Sequence, residues 1–176
     1  NRINDERKGL VASTVKEVNK RMEEKGMVES PVIVMGNPSW RPGILGLVAN
    51  SLVEAHGKPV FLWGREGGDE LRGSCRSVAG VNIVELMAAA PDVFGHFGGH
   101  AASGGFALTE ARAHELPGAL NKAYESLKSQ VAGVKEFMVD RELDLSELPH
   151  ALRHLDRLAP FGIGNQKPLF MFPNAT

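Results

Sequence analysis

Pro31-Val32-Ile33-Val34-Met35-Gly36-Asn37-Pro38-Ser39-Trp40-Arg41-Pro42-Gly43-Ile44-Leu45, continuing to Leu52, His56-Gly57-Lys58 and Pro59-Val60-Phe61-Leu62-Trp63, decides the fold class. Val32 to Met35 is a short apolar run that reads as a buried strand, and Gly36 to Ser39 is a turn cluster. Pro42 suits the first turn of a helix, since it has no N–H to waste and its φ is already helical. Ile44, Leu45, Val48 and Leu52 give that helix one apolar face, and His56-Gly57-Lys58 carries the chemistry of a helix C-terminus. Pro59 to Trp63 is a second strand. Strand, helix and strand in alternation predict an α/β layer domain.

The pattern extends in both directions. Upstream, Val11, Val15, Val18 and Met22 are spaced four, three and four apart on an otherwise charged segment, one stripe of an amphipathic helix that Gly26 stops. Downstream, Gly67-Gly68-Asp69 turns the chain into a third strand, Leu71 to Ser77. Asn82 with Glu85 resembles a capping box for a helix through Ala90. A strand from Phe106 to Leu108 follows, then a helical stretch capped by Thr109 and reaching about Gln130, divided by Pro117. Glu136 to Val139 reads as a further strand and Pro149 to Leu158 as a short helix. Pro168 to Pro173 reads as a strand with nothing left in the chain to pair with, and Asn1 opens directly into helix, so both ends read as cuts in a longer protein.

Composition narrows the possibilities. The 176 residues are 43% hydrophobic and 23% charged, enough for one well-buried core plus a partial second unit. No apolar run approaches a membrane span, and no secretory leader is visible, so no membrane partner is expected. Cys75 is the single cysteine, which excludes an internal disulfide framework and fits a reducing, cytoplasmic setting. The formal net charge of −1 supplies no global attraction to nucleic acid, so any polyanion site must be a local patch.

Such a patch is visible in two places. Phe97-Gly98-Gly99-His100-Ala101-Ala102-Ser103-Gly104-Gly105 carries two glycines into a histidine. Residues without Cβ admit close approach of an anion, and their N–H groups can converge as a nest with the imidazole at its rim. On the third strand, alternation places Arg72, Ser74 and Arg76 on one side and Leu71, Gly73 and Cys75 on the other. Two guanidiniums and a hydroxyl suit phosphate oxygens, whereas Cys75 on the apolar side reads as core filler. Other candidates are weaker. His150 and His154 are four apart on a helix but lack the zincin glutamate and a third ligand. His96 and His100 are four apart through glycines, His114 sits in a charged helix start, and Gly64 to Gly68 lacks the ending of a P-loop.

Three of these segments, Ser39-Trp40-Arg41-Pro42-Gly43-Ile44-Leu45-Gly46, Arg72-Gly73-Ser74-Cys75-Arg76-Ser77 and Gly98-Gly99-His100-Ala101-Ala102-Ser103-Gly104-Gly105, resemble successive motifs of the RecJ family of single-strand-specific exonucleases, within the DHH phosphoesterase superfamily. Leu158-Ala159-Pro160-Phe161-Gly162-Ile163-Gly164-Asn165 is similar to the family's entry into an OB-type domain. The resemblance implies an interdomain linker helix over residues 1–29, a DHH-associated substrate-binding domain with a central mixed β-sheet flanked by helices over 30–132, and the start of an OB-like domain over 133–176. It implies 5′-to-3′ hydrolysis of single-stranded DNA with Mn2+ or Mg2+ held in a DHH domain outside these residues, and no metal on this segment. Single-stranded DNA, engaged at its 5′ end, is the implied partner, with single-stranded-DNA-binding protein or a helicase as protein partners. The oligomeric state stays open. Matched position by position, Ser74 and Arg76 contact the 5′-terminal phosphate region, Gly98 and Gly99 face the scissile phosphate, and His100 acts in catalysis. Arg72 and Arg41 are further candidate substrate contacts, as is Trp40, for which packing between helix and sheet is the favoured reading. Arg41 stands where the family commonly has His, which keeps a cation at a helix start but removes a titrating imidazole.

Two other readings remain open on sequence alone. One is an oligonucleotide or cyclic-dinucleotide phosphodiesterase with the same Gly-Gly-His. The other is a module without catalysis, either binding nucleic acid or pairing its arginines with an acidic partner.

Overall fold

A computed structural model describes residues 2–24, 26–65, 67–68, 70–130, 139–161, 165 and 167–173. The chain forms two compact units, Asn1–Ala132 and Gly133–Thr176. The first unit is built on a five-stranded mixed sheet. In chain order its elements are α1 (Arg2–Glu24), β1 (Ile33–Gly36), α2 (Pro42–His56), β2 (Val60–Arg65), β3 (Leu71–Arg76), α3 (Ile83–Ala88), β4 (His96–His100), β5 (Ser103–Leu108), α4 (Glu110–Ala113) and α5 (Leu116–Gln130). The strand order is β1-β2-β3-β5-β4; β1 and β2 are parallel and every other neighbour is antiparallel.

Local chemistry explains the element boundaries. Gly26, at φ 62, ends the first helical segment. Pro42 occupies the first turn of α2, and Gly57 closes that helix in the left-handed conformation, its N–H bonded to the carbonyl of Val53. Asn82 caps α3 by accepting from the N–H groups of Val84 and Glu85. Glu85 completes this cap differently from a capping box, because its carboxylate accepts from the Asn82 side-chain amide at 2.9 Å. The helix stops at Ala88 rather than Ala90, two residues before Pro91 begins a 3-10 turn. Thr109 stands at the N-cap of α4, and the helical stretch divides before α5, with Pro117 in the first turn of the second piece.

Two cores flank the sheet. On one face Val32, Val34, Phe61, Leu71, Cys75, Phe106 and Leu108 pack against Ile83, Leu86 and Met87 of α3 and Leu116 and Leu120 of α5. Phe106 is the hub of this layer, its ring centroid 5.7 Å from that of Phe61 and 5.5 Å from that of Phe94. On the other face Ile33, Met35, Val60 and Leu62 meet α2, with Val18 and Met22 of α1 sealing the edge. Cys75 is core, as expected: burial pushes its thiol up to about 12 against an opposing pull from Arg76. Its sulfur lies 4.0 Å from that of Met87.

The second unit, described by itself, contains β6 (Arg141–Glu142), α6 (Leu148–Leu155) and β7 (Phe170–Met171). The expected terminal strand does find a partner, which corrects the sequence reading: β7 pairs with β6 in parallel, and the Asp140 carboxylate accepts the N–H of Leu169 at 2.9 Å. β6 is two residues long and too polar to announce itself by periodicity. Of the strand expected over Glu136 to Val139, residues 136–138 lie outside the described residues. So do Gly162 to Gly164 of the Pro-Phe-Gly segment, although the Asn165 side-chain amide donates to the carbonyls of Leu158 and Pro160. Among the described residues no helix is long and apolar enough to cross a membrane.

Phe61, fully buried between the two helical layers, sets a quantitative expectation: Phe61→Ala should cost about 3–5 kcal/mol by transfer and cavity terms, read from urea or thermal unfolding. Cys75 gives a second. Its folded pKa is raised, so from about pH 9, where a free thiol of pKa 9.0 ionises, toward about 12 the unfolded chain gains a charge that the native one does not. Stability should therefore fall with pH through that window in the wild type and less steeply in Cys75→Ala. Equal slopes in the two proteins would contradict the assignment.

Candidate functional site

Because directly opposed residues of antiparallel strands share a face, the register assembles a polar surface. Across β2, β3, β5 and β4 the rows are Gly64, Arg72, Ala107 and His96; Leu62, Ser74, Gly105 and Gly98; and Val60, Arg76, Ser103 and His100. These rows lie on the α2 side of the sheet. There α2 lies over β2 and β3 with α1 packed on α2, but His96, Gly98, His100 and Gly105 on the β5–β4 side stay exposed. Five candidates separated by up to 28 positions of sequence, Arg72, Ser74, Arg76, Gly98 and His100, thus share one face, Ser74 and Arg76 half-buried at the margin of α2 and the other three exposed. Two strand spacings separate β3 from β4, about 10 Å between Arg76 and His100 backbones.

The Gly-Gly-His segment is a strand where a corner was expected. β4 is the edge of the sheet, paired throughout with β5. Successive N–H groups of a strand point to opposite edges, so one of Gly98 and Gly99 faces β5 and the other the free edge. A nest with both donors converging on one anion is therefore not what forms here, and a single backbone donor beside His100 takes its place. Gly99, at φ 152, has no room for a side chain: a Cβ would collide with the backbone of Ser103 and Gly104. Gly98 faces open space.

The remaining candidates separate. Arg76 lies half-buried at the boundary between covered and open halves, its Nη1 donating to the carbonyl of Cys75 at 2.7 Å. Arg72 is exposed and held by Glu70, whose carboxylate stands 3.2 Å from Arg72 Nε and 3.8 Å from His96 Nδ1. Arg41 is exposed at the N-cap of α2 and its side chain caps nothing. Trp40 takes the packing role that the sequence favours. It is 5% exposed in the α1–α2 core, its indole N–H donating to Glu17 at 3.0 Å, so it has no ring face to offer a base. Trp40 is buried because its backbone crosses directly over Gly64, which tucks the side chain under α1.

Two participants escaped the sequence reading. Glu70 sits just before β3 and neutralises the Arg72 end of the half-face; only the β3–β4 neighbourhood reveals its second partner, His96. Gly46, in the middle of α2, is where Arg76 rests. A Cβ built there would stand 2.6 Å from Arg76 Nη2. A glycine inside an apolar helix is a signal of close approach, but nothing in the sequence says what approaches. His150 and His154 stack edge to face at 4.6 Å. Among the described residues no group of three His, Cys, Asp or Glu side chains could hold a metal ion.

The family model described as the DHHA1 domain matches residues 29–132. The single-stranded-DNA-specific exonuclease RecJ of Bacillus subtilis is 28% identical over 179 residues, 98% of this chain and 22% of that protein. RecJ of Thermus thermophilus is 32% identical over 152 residues, 81% of this chain and 20% of that protein. The chain thus spans about a fifth of the length of these curated relatives. Among solved structures, RecJ from Thermus thermophilus in complex with Mn2+ superposes with a TM-score of 0.68 at 31% identity, covering 96% of this chain and 24% of that one. Its Mg2+ complex gives 0.66 at 30%, covering 96% and 26%.

Gly46 separates stability from site geometry. Gly46→Ala should leave thermal stability unchanged or raise it by up to ~1 kcal/mol, since alanine favours helix. The same change must displace the flexible Arg76 guanidinium, and whatever affinity for a phosphate-bearing ligand depends on Arg76 should weaken several-fold. Unfolding curves and anisotropy on one preparation read both effects.

Proposed function

The chain belongs to the DHHA1 domain family, and on that premise we propose that it is the phosphate-gripping part of a RecJ-like exonuclease that degrades single-stranded DNA from the 5′ end by metal-dependent phosphodiester hydrolysis. The observation that carries this reading is the shared face itself: Ser74 and Arg76 at the margin of α2, and Gly98 and His100 exposed on the same side of the sheet. It offers hydrogen-bond donors and cationic charge without an apolar surface, the composition expected for a surface that meets phosphates rather than a protein core.

The roles follow from position. Arg76, braced against α2, supplies a planar fork of donors to a terminal phosphate, and Ser74 in the neighbouring row adds a hydroxyl. His100, at the exposed end of the edge strand, and the outward backbone N–H of the Gly98-Gly99 pair stand where they can stabilise charge on phosphoryl oxygens during reaction. Arg72 is a weaker contributor because Glu70 already neutralises it. A divalent ion of the kind bound in the RecJ structures, Mn2+ or Mg2+, supplies Lewis-acid chemistry to the whole enzyme. The described residues of this chain do not fit it, so their part is to bind and orient the strand. A setting in DNA repair and recombination in the cytoplasm, beside a single-stranded-DNA-binding protein or helicase, completes the proposal.

Fluorescence anisotropy at low salt tests the 5′-end assignment. A 5′-phosphorylated single strand should bind more tightly than its 5′-hydroxyl counterpart, with the difference lost in Arg76→Ala; equal affinities for the two ends would refute it. In a full-length enzyme, His100→Ala should slow turnover roughly a hundredfold or more while the protein stays folded. Unchanged turnover would remove His100 from the reaction.

A further inference from the structure

The polar half-face does not end at Arg76. Past that residue the surface opens into a groove of about 830 Å³ between α1 and α2, reached by Arg76 from the sheet and by Arg7 and Lys8 from α1. Asn4, Lys8, Val11 and Val15 recur every three or four residues, so one face of the first half of α1, polar at Asn4 and Lys8 and apolar at Val11 and Val15, is turned into the groove. Arg7 is steadied by donating to the Asn4 side chain at 3.2 Å. Among the described lining residues there is no carboxylate: Asp5 and Glu6 fall outside the lining, and Glu54, the nearest acid along α2, accepts from Asn50 at 2.7 Å. Gly46 forms the floor on which the Arg76 guanidinium rests, so the guanidinium lies at the mouth of the groove.

We propose that this groove is a second anion subsite, contiguous with Arg76, that takes the outer phosphates of a strand ending in a 5′-di- or triphosphate. The inference rests on the reading of Arg76 as a terminal-phosphate ligand and extends it. One phosphate is matched by Arg76 with Ser74; a groove of this size, with two more cations and no acid among its described lining residues, exceeds what a monophosphate needs. Additional phosphates in line with the first pass from the sheet to α1. Arg7 and Lys8 are exposed, so each contributes modestly, and together they should give a three- to tenfold preference for triphosphate over monophosphate at low salt, a range on the order of that for solvent-exposed charge pairs.

The test uses three single-stranded oligonucleotides of one sequence, ending in 5′-hydroxyl, 5′-monophosphate or 5′-triphosphate, titrated by anisotropy into the 176-residue chain and two variants. In wild type the order of affinity should be triphosphate, monophosphate, hydroxyl. Arg7→Ala/Lys8→Ala should erase the triphosphate increment and keep the monophosphate preference, with an unchanged far-ultraviolet circular dichroism spectrum, since alanine sustains the helix. Arg76→Ala should erase both. Equal binding of mono- and triphosphate by wild type, or an increment that survives the α1 double variant, overturns the subsite and leaves the monophosphate reading standing. Loss of the monophosphate preference alone strikes the terminal-phosphate reading instead, and binding of none of the three overturns both.

Discussion

The antiparallel pairing of β3 with β5 is the constraint on which the rest depends. β3 is the central strand of the sheet, and its register, Ser74 opposite Gly105 and Arg76 opposite Ser103, decides which side chains face water. A slip of one residue would exchange the two faces, sending Leu71 and Cys75 outward and two arginines into the core. The α3–α5 side prevents that slip, because Leu71, Cys75, Phe106 and Leu108 are all buried there and every one would lose its packing at once. The functional face is thus held in place by the apolar face behind it. Stability and site are two readings of a single register.

A sheet with one half-face bare has to avoid an exposed apolar patch. Here the strands solve this with small and polar residues: Ser74, Ser103, Gly105 and Gly98 occupy the middle of the uncovered area, and Ala107 is shielded in the row of Arg72 and His96. The price is that β4 and β5 bring few side chains of their own to pack, so they depend on Phe97, Phe106 and the α3 side for cohesion. The gain is a surface on which backbone can be approached closely, the requirement of a site for a bulky anion.

Electrostatics divide that surface. Toward Arg72, Glu70 answers the guanidinium; toward Arg76 no carboxylate is paired with the guanidinium among the described residues, and the boundary with α1 adds further cations. A chain of net charge −1 therefore presents a locally directional field, neutral at one end of the strand and positive at the other. Such a gradient would orient an anion along the strand.

Much of this was legible in the residues alone. Spacing fixed α1 by its Val11-Val15-Val18-Met22 stripe, Pro42 and Gly57 bounded α2, and alternation along β3 put Arg72, Ser74 and Arg76 on one side, because each of these signals is local and has its own period or its own φ requirement. What the sequence could not say was who stands beside whom. Whether Gly98-Gly99 curls into a nest or extends as an edge strand, whether Trp40 faces solvent or core, and whether the last strand has a partner all turn on contacts between distant segments. Glycine tolerates every one of those backbones, and tryptophan packs as readily as it stacks. The residue types and the faces they share are written locally; the juxtaposition of Arg76 with Gly46, His100 and the α1 groove arises only when burial of two cores closes the sheet in one register.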